Sequence, residues 1–167
     1  MGFYVNSEDF TGKFQISQGM YNSADIDDFI QRYELRYLVE LLGVDLYNLY
    51  YADSVNEPDH IPASQIYKDL YYAFNKQYDF TLCISTGIKD MLIGFIWWEY
   101  NKALLSENTL SGEVKKSSEN STPVVSTMYA RYNESIKTYR SIQTFIMKNY
   151  NQYSNFRGIN KTTTWWL

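Results

Sequence analysis

The residues best able to do covalent or metal chemistry are scarce, because the chain has one cysteine, Cys83, and one histidine, His60. A Cys–His pair can act as nucleophile and base only when the two side chains lie within hydrogen-bonding reach. Nothing in the sequence argues for that arrangement. A zinc site takes three or four ligands, so these two residues do not make one by any usual count. A lone cysteine in an apolar stretch is typical of a small core residue.

An acidic cluster, Asp25, Asp27 and Asp28, is the next candidate for metal binding. It lacks the glycine and the closing glutamate of a calcium loop. Acidic residues are favourable in the first turn of a helix, so the cluster indicates a helix start. Phosphate-loop, zinc-protease and nucleophile-elbow motifs are also missing. The sequence therefore predicts a protein that is not an enzyme and that has no catalytic, cofactor-binding or metal site.

The composition predicts one domain with an aromatic-rich core. The 167 residues are 45% hydrophobic and 20% charged, and 18% are aromatic, including 17 tyrosines. Tyrosine suits surfaces that are partly buried and partly wet, so a surplus of tyrosine favours an interface. The longest uncharged apolar run, residues 91–98, is far shorter than the roughly 20 residues of a membrane span. With a polar, acidic start as well, we expect a soluble, intracellular protein.

Charge is distributed unevenly along the chain. Residues 122–167 carry six basic groups and one acid, a net charge of +5, whereas residues 1–121 carry nine basic groups and 18 acids, a net charge of −9. Chance and solvated helix faces would explain this distribution. The alternatives are charge complementarity between copies of the chain, or a basic arm that docks on an acidic partner.

Hydrophobic periodicity predicts a mainly α fold, a small bundle of three to four principal helices. The predicted helices cover residues 25–42, 44–51, 64–75, 87–104 and 123–150, and residues 80–85 alternate as a strand or an extended loop. Residues 87–104 are apolar around more than half of the helix, so that helix is central to a core or lies between subunits. Gly43 stands where a left-handed C-cap is expected.

Two segments fall outside this helical pattern. Residues 106–121 are polar and form either a flexible linker or a hairpin that turns at Ser111-Gly112. Residues 151–167 are polar and then contain Trp165, Trp166 and Leu167, whose exposure would be costly in a monomer. We therefore expect a helical domain over residues 1–150 with a hairpin-like loop at 106–121. We expect an extended arm over 151–167 that docks in a groove of this subunit or of another protein.

Three strings in the same order resemble a known family. They are residues 26–38 continuing through Leu41-Leu42-Gly43 to Leu46-Tyr47, residues 85–92 followed by 95–100, and residues 108–115 followed by 119–121. Together they look like the head–tail connector adaptors of tailed bacteriophages, similar to those of crAss-like and other Bacteroidetes phages. The C-terminal helix resembles the family only as a pattern, through Tyr132-Asn133. The similarity covers about residues 23–150.

The resemblance implies a structural virion protein that forms a ring, usually twelve-fold, under the portal protein. Such a ring extends the DNA channel without binding DNA specifically and offers a docking platform to tail or further connector proteins. The protein would be assembled in the host cytoplasm and would end at the head–tail junction of the virion. The residues expected at the subunit or portal interface are Leu110, Ser111, Gly112, Glu113, Val114, Lys115 and Lys116. Those expected in a partner-docking tail are Phe156, Arg157, Trp165, Trp166 and Leu167.

A nucleic-acid-binding accessory protein is the alternative function. It would use the basic C-terminal third, and its DNA affinity would weaken when Arg131, Arg140 or Lys148 is neutralised. Tyr129 and Tyr132 flank Arg131 and could stack on bases. Because both tyrosines fall on the apolar face of the predicted helix, core packing is the better interpretation.

Overall fold

The computed structural model describes residues 2–16, 23–109, 112–115 and 122–163, and the fold is mainly helical, as predicted. The helices are α1 (Ser23–Leu42), α2 (Val44–Ser54), α3 (Gln65–Tyr71), α4 (Ile88–Leu105) and α5 (Thr122–Lys148). Two antiparallel hairpins accompany them, β1 (Phe74–Tyr78) with β2 (Thr81–Ser85), and β3 (Ser106–Thr109) with β4 (Gly112–Lys115).

Helix α4 lies at the centre of the core, between α1 and α5. Its residues 91–97 are all buried, so this helix is central to the chain's own core, one of the two positions that its apolar surface predicted. Gly94 allows α4 and α5 to approach closely, because a Cβ atom there would overlap the Ser135 hydroxyl. Tyr37 of α1 stacks on Phe95 of α4 with their ring centroids 4.3 Å apart. The helices are therefore held together by aromatic contacts as well as by aliphatic ones.

The third helix is shorter than predicted. It ends at Tyr71, and residues 74–78 form β1 instead of a last helical turn. Each residue of β1 pairs with β2, from Phe74 opposite Ser85 to Tyr78 opposite Thr81. The rings of Phe74 and Tyr78 lie 5.0 and 6.4 Å from that of Phe145 on α5. Strand pairing and this aromatic contact outweigh the helical spacing of the apolar residues.

The N-terminal segment, residues 2–16, is fixed to α1 by one buried carboxylate. Glu34 is 5% exposed and accepts the backbone N–H groups of Phe3, Tyr4 and Val5 at 2.9 to 3.0 Å. Burial raises the pKa of the Glu34 carboxyl, and the three N–H donors only partly oppose that effect. The Glu34 carboxylate therefore supplies the hydrogen-bond acceptors that a strand or helix would normally supply to the backbone of this irregular segment.

Residues 157–161, which we call the strap, cover the C-terminal end of α1. The N–H groups of Arg157 and Ile159 donate to the carbonyls of Leu42 and Glu40 at 3.1 and 2.7 Å. The last carbonyls of a helix have no partner within it, so the strap supplies the hydrogen bonds that α1 lacks. Gly43, with φ 81°, ends α1 and packs against the backbone of Arg157.

Side chains of α5 and α1 hold the strap in place. The Tyr139 hydroxyl lies within hydrogen-bonding distance of the Glu40 and Ile159 carbonyls, and the Gln143 amide donates to Ile159. Lys161 forms an ion pair with the Glu40 carboxylate. Burial favours the neutral form of Glu40, but hydrogen bonds from Lys161 and Arg36 outweigh it and lower its pKa. The strap is therefore part of the body.

Candidate interaction surface

The outer face of the β1–β2 hairpin is uncovered, with apolar side chains on β2 opposite Asn75 and Gln77 of β1. Side chains alternate along β2, so that Cys83 and Ser85 are buried, whereas Leu82 and Ile84 are 57% and 53% exposed. Phe80, in the turn between the strands, is fully exposed. We call Phe80, Leu82 and Ile84 the outer hairpin face. Large apolar side chains exposed together on one surface can mark an interaction site.

The hairpin is held firmly against α5, which fixes this face in position. Asn149 donates to the Tyr78 hydroxyl at 3.1 Å, and Lys148 lies 3.8 Å from the carboxylate of Asp79 in the turn. The inner residues Phe74 and Tyr78 pack on Phe145. Both strands therefore pack against α5, and these contacts position the outer hairpin face relative to it.

A cleft of about 250 Å³ continues the outer hairpin face at Ile84. Its lining includes Phe14, and also Thr86 and Thr138, whose hydroxyl oxygens lie 3.1 Å apart. Charged side chains of both signs line it as well, namely Lys13, Asp90, Glu134 and Lys137. Apolar and charged side chains also occur together at protein interfaces, as an apolar core and a polar rim.

The second hairpin confirms the prediction of strands within residues 106–121. Strand β4 contains four of the predicted interface residues, Gly112, Glu113, Val114 and Lys115, and Gly112 pairs with Thr109 of β3. Gly112 is therefore in the ladder and not in the turn that we predicted at Ser111-Gly112. The main contact of this hairpin with the rest of the described chain is with the end of α4. Leu110, Ser111 and Lys116 lie outside the described residues.

The predicted docking tail divides into two parts. Phe156 is half-buried and packs against the core, and the backbone of Arg157 belongs to the strap. Both residues thus contact their own body, and their contact with a partner stays a prediction. Trp165, Trp166 and Leu167 lie outside the described residues.

Three of the six basic groups of the C-terminal third make contacts within the chain. Lys148 lies near Asp79, Lys161 pairs with Glu40, and the Arg131 guanidinium stacks on Trp97, 4.6 Å from the ring centroid. Lys137 and Arg140 remain exposed on α5. Part of the charge asymmetry along the sequence is therefore neutralised inside one molecule.

The two residues that could do nucleophilic chemistry are in different parts of the fold. Cys83 is buried in β2 against α5, whereas His60 stacks on Phe3 near α2, with the ring centroids 3.8 Å apart. Burial raises the pKa of the Cys83 thiol. The structure therefore does not bring Cys83 and His60 together.

Cys83 should accordingly be a poorly reactive thiol. A thiol reagent is expected to modify it at least about ten-fold more slowly in the native protein than in urea, because the reactive species is an accessible thiolate. With an aromatic disulfide as reagent, the rate at which the aromatic thiol is released measures the rate of Cys83 modification directly. Equal rates in the two states would contradict the buried position of the side chain.

Comparisons with known proteins assign no function to the chain. Among the described residues, no group of three or more His, Cys, Asp or Glu side chains is arranged to hold a metal ion. In the same part of the chain, no helix is long and apolar enough to cross a membrane. No protein-family model, curated protein or solved structure matches the chain.

Proposed function

We propose that the chain is a non-enzymatic structural subunit that assembles with copies of itself into a ring, as a head–tail connector adaptor of a tailed bacteriophage. In this role the ring binds beneath a portal protein, extends the DNA channel and receives tail proteins. The observation that carries the proposal is the β3–β4 hairpin, which extends from the end of α4 and has its main body contact there.

A two-stranded hairpin is marginally stable by itself in water and normally needs a third strand or a packing surface. The β3–β4 ladder has four residue pairs, from Ser106 opposite Lys115 to Thr109 opposite Gly112. Contact with a neighbouring subunit or with the portal would supply the missing surface. This is the role that the family resemblance implies for the same residues.

The outer hairpin face and its cleft give a second support. A ring requires a heterologous contact, in which one patch of a subunit meets a different patch of the next. The chain has such a pair of unlike features, because the outer hairpin face is apolar and fixed while β3–β4 projects from another element. The two features are therefore distinct patches, which a heterologous contact between neighbouring subunits could join.

The nucleic-acid-binding alternative has less support. Three of the six basic groups that motivated it, Arg131, Lys148 and Lys161, contact Trp97, Asp79 and Glu40. Phosphate binding would have to compete with these contacts. Net negative charge of the whole chain also weakens non-specific binding to phosphate, which suits a channel that must let DNA pass.

Replacing residues 106–121 by a short Gly-Ser linker tests the proposal. We expect the wild-type protein to form rings, alone or on portal rings, and the variant to remain monomeric with an unchanged unfolding midpoint. Light scattering after size exclusion and negative-stain images measure assembly, and urea unfolding followed by circular dichroism measures the fold.

A chain with Asn56→Ala, at an exposed position on the turn after α2, is the matched control and should assemble normally. If the linker variant forms rings of normal size, the β3–β4 hairpin is not needed for assembly. A wild-type protein that stays monomeric and ignores portal rings would overturn the proposed function.

A further inference from the structure

We propose that the end of α1 is a peptide-binding site, filled here by the chain's own strap, which also takes the strap of a second copy. The choice of a second copy as partner rests on the proposed function, whereas the site itself does not depend on ring formation. The site recognises an extended peptide in which a glycine is followed three positions later by a lysine. We call it the strap site, and the residues that contact the strap there are Tyr37, Glu40, Leu41, Leu42, Tyr139 and Gln143.

The strap site requires an extended backbone with a glycine at its centre. The N–H groups of Arg157 and Ile159 donate to the last carbonyls of α1 at 3.1 and 2.7 Å. Between them, a Cβ atom at Gly158 would overlap the carbonyl oxygen of Leu41. Main-chain hydrogen bonds give affinity for any extended peptide, and side-chain pockets give specificity. The close approach at Gly158 therefore selects glycine from the peptides that the backbone contacts would accept.

The strap site also contains a pocket for one ammonium group. The Lys161 ammonium pairs with the Glu40 carboxylate and lies 4.9 and 5.9 Å from the ring centroids of Tyr37 and Tyr139. A cation at this distance is attracted by the negative face of an aromatic ring. The side chains of Lys161 and Glu40 are only 18% and 19% exposed, so salt screens their attraction less than it screens a surface pair. The pocket therefore selects lysine.

The strap contributes little to the apolar core, so we expect it to open without unfolding the rest of the chain. Ile159 is 61% exposed, and Arg157 and Asn160 are exposed as well. Just before the strap, by contrast, Tyr153 is buried and its hydroxyl donates to the Ile66 carbonyl at 2.7 Å. Segments with few buried apolar contacts open at a lower free energy than the core does. An open strap therefore behaves as a tethered peptide beside an empty strap site.

A second copy is the partner that the strap site fits, because every copy carries both the site and the sequence that fills it. The contacts that the structure shows within one chain would form unchanged between two chains. Exchange of an identical element is for this reason a low-cost route to association. Passed from each chain to the next, the same contact is heterologous, which is the kind of contact that generates rings.

Peptide binding tests the strap site. The probe is a fluorescent peptide of residues 155–163, and the receptor is the full chain carrying Gly158→Ala, whose own strap is expected to detach. The peptide should bind this receptor at least about ten-fold more tightly than it binds the wild-type chain, because the wild-type strap keeps most sites filled. The full chain carrying Lys161→Ala is the second receptor if Gly158→Ala does not fold.

Changes in the peptide test the two recognition positions. Replacing Gly158 by alanine, or Lys161 by methionine, should weaken binding at least about ten-fold, because the first adds an overlap and the second removes the charge. The peptide with Asn160→Ala is the matched control and should keep its affinity, since Asn160 is exposed. In a receptor that also carries Glu40→Gln, the lysine and methionine peptides should differ much less, because their difference depends on the Lys161–Glu40 pair.

Mixing two defective chains tests the second copy as partner. The donor-labelled chain carries Gly158→Ala, which leaves an intact strap site without a fitting strap. The acceptor-labelled chain carries Glu40→Gln and Tyr139→Phe, which leave an intact strap with a weakened site. Energy transfer should appear on mixing, and an excess of the peptide of residues 155–163 should abolish it. The same peptide with Gly158→Ala should have little effect.

The outcomes separate this inference from the proposed function. Undetectable peptide binding by both receptors, or equal affinity of the glycine and alanine peptides, would overturn the strap site while rings could still form. Peptide binding without energy transfer that the peptide abolishes would overturn the second copy as partner. Energy transfer that the peptide abolishes, in a protein that forms no rings, would support the strap site and overturn the ring.

Discussion

Replacing Glu34 by alanine is expected to lower the free energy of unfolding by about 3 kcal/mol and to release residues 2–16 from the body. The three N–H groups of Phe3, Tyr4 and Val5 would lose their common acceptor. Buried donors without partners cost about 1–3 kcal/mol each, and partial exposure of the segment sets the total. Urea unfolding measures the loss, and limited proteolysis reports release of the segment.

Two further variants make the result specific to the carboxylate. Gln31→Ala alters an exposed residue one turn earlier in α1 and should leave stability within about 0.5 kcal/mol of the wild type. Glu34→Gln keeps an acceptor oxygen and should fall between the wild type and Glu34→Ala. Equal stability of all four proteins would show that the segment is held by its aromatic contacts instead.

Glu34 should also make stability depend on pH in an unusual direction. Burial raises the pKa of its carboxyl above the usual value of 4.5, so the folded protein binds this proton more tightly than the unfolded chain does. Its contribution to stability is therefore greatest below the usual pKa of 4.5 and falls as the pH rises through the raised pKa of the folded state. As the pH rises above 4.5, Glu34→Gln should lose less stability than the wild type.

The second large effect is expected at Gly158, in the strap. A Cβ atom there would overlap the carbonyl oxygen of Leu41 and crowd Phe156 and Gln143. Gly158→Ala should therefore detach the strap and leave the last carbonyls of α1 without partners, at a cost of about 2–4 kcal/mol. Hydrogen exchange at the amides of Arg157 and Ile159 should become much faster, and the urea midpoint should fall.

Asn160→Ala is the control for this substitution, because Asn160 lies in the same strap and is exposed. It should change neither the exchange rates nor the midpoint. Slow exchange at Arg157 and Ile159 in Gly158→Ala would mean that the strap tolerates a side chain at this position and that the close approach is relieved by a small shift.

The sequence predicted those elements whose own side chains determine them. The apolar stripes of α1 and α5, the almost fully apolar α4 and the alternation of β2 are local patterns, and all four elements lie near their predicted bounds. Strand β1 was missed because Phe74 continues the four-residue spacing of Ile66 and Leu70 and so fits a helix face equally well. Its pairing with β2 decides its conformation.

The candidate surface was harder to predict than the fold. Alternation in β2 revealed that one set of residues faces outward, but not that α5 would cover Cys83 and leave Leu82 open. Segments without a period, residues 2–16 and 157–161, gave no signal because their partners are distant. Glu34 is about 30 positions from the backbone it binds, and Gln143 is 102 positions from the Leu41 carbonyl.

The strap also has a consequence for synthesis on the ribosome. The first long helix obtains its last hydrogen-bond partners from residues translated more than a hundred positions later, because the Glu40 carbonyl accepts from the Ile159 amide. While the chain is still attached, α1 can form and begin to pack, but its end stays incomplete. The body is therefore completed only after residues 157–161 have emerged from the ribosome, which would delay association between nascent chains.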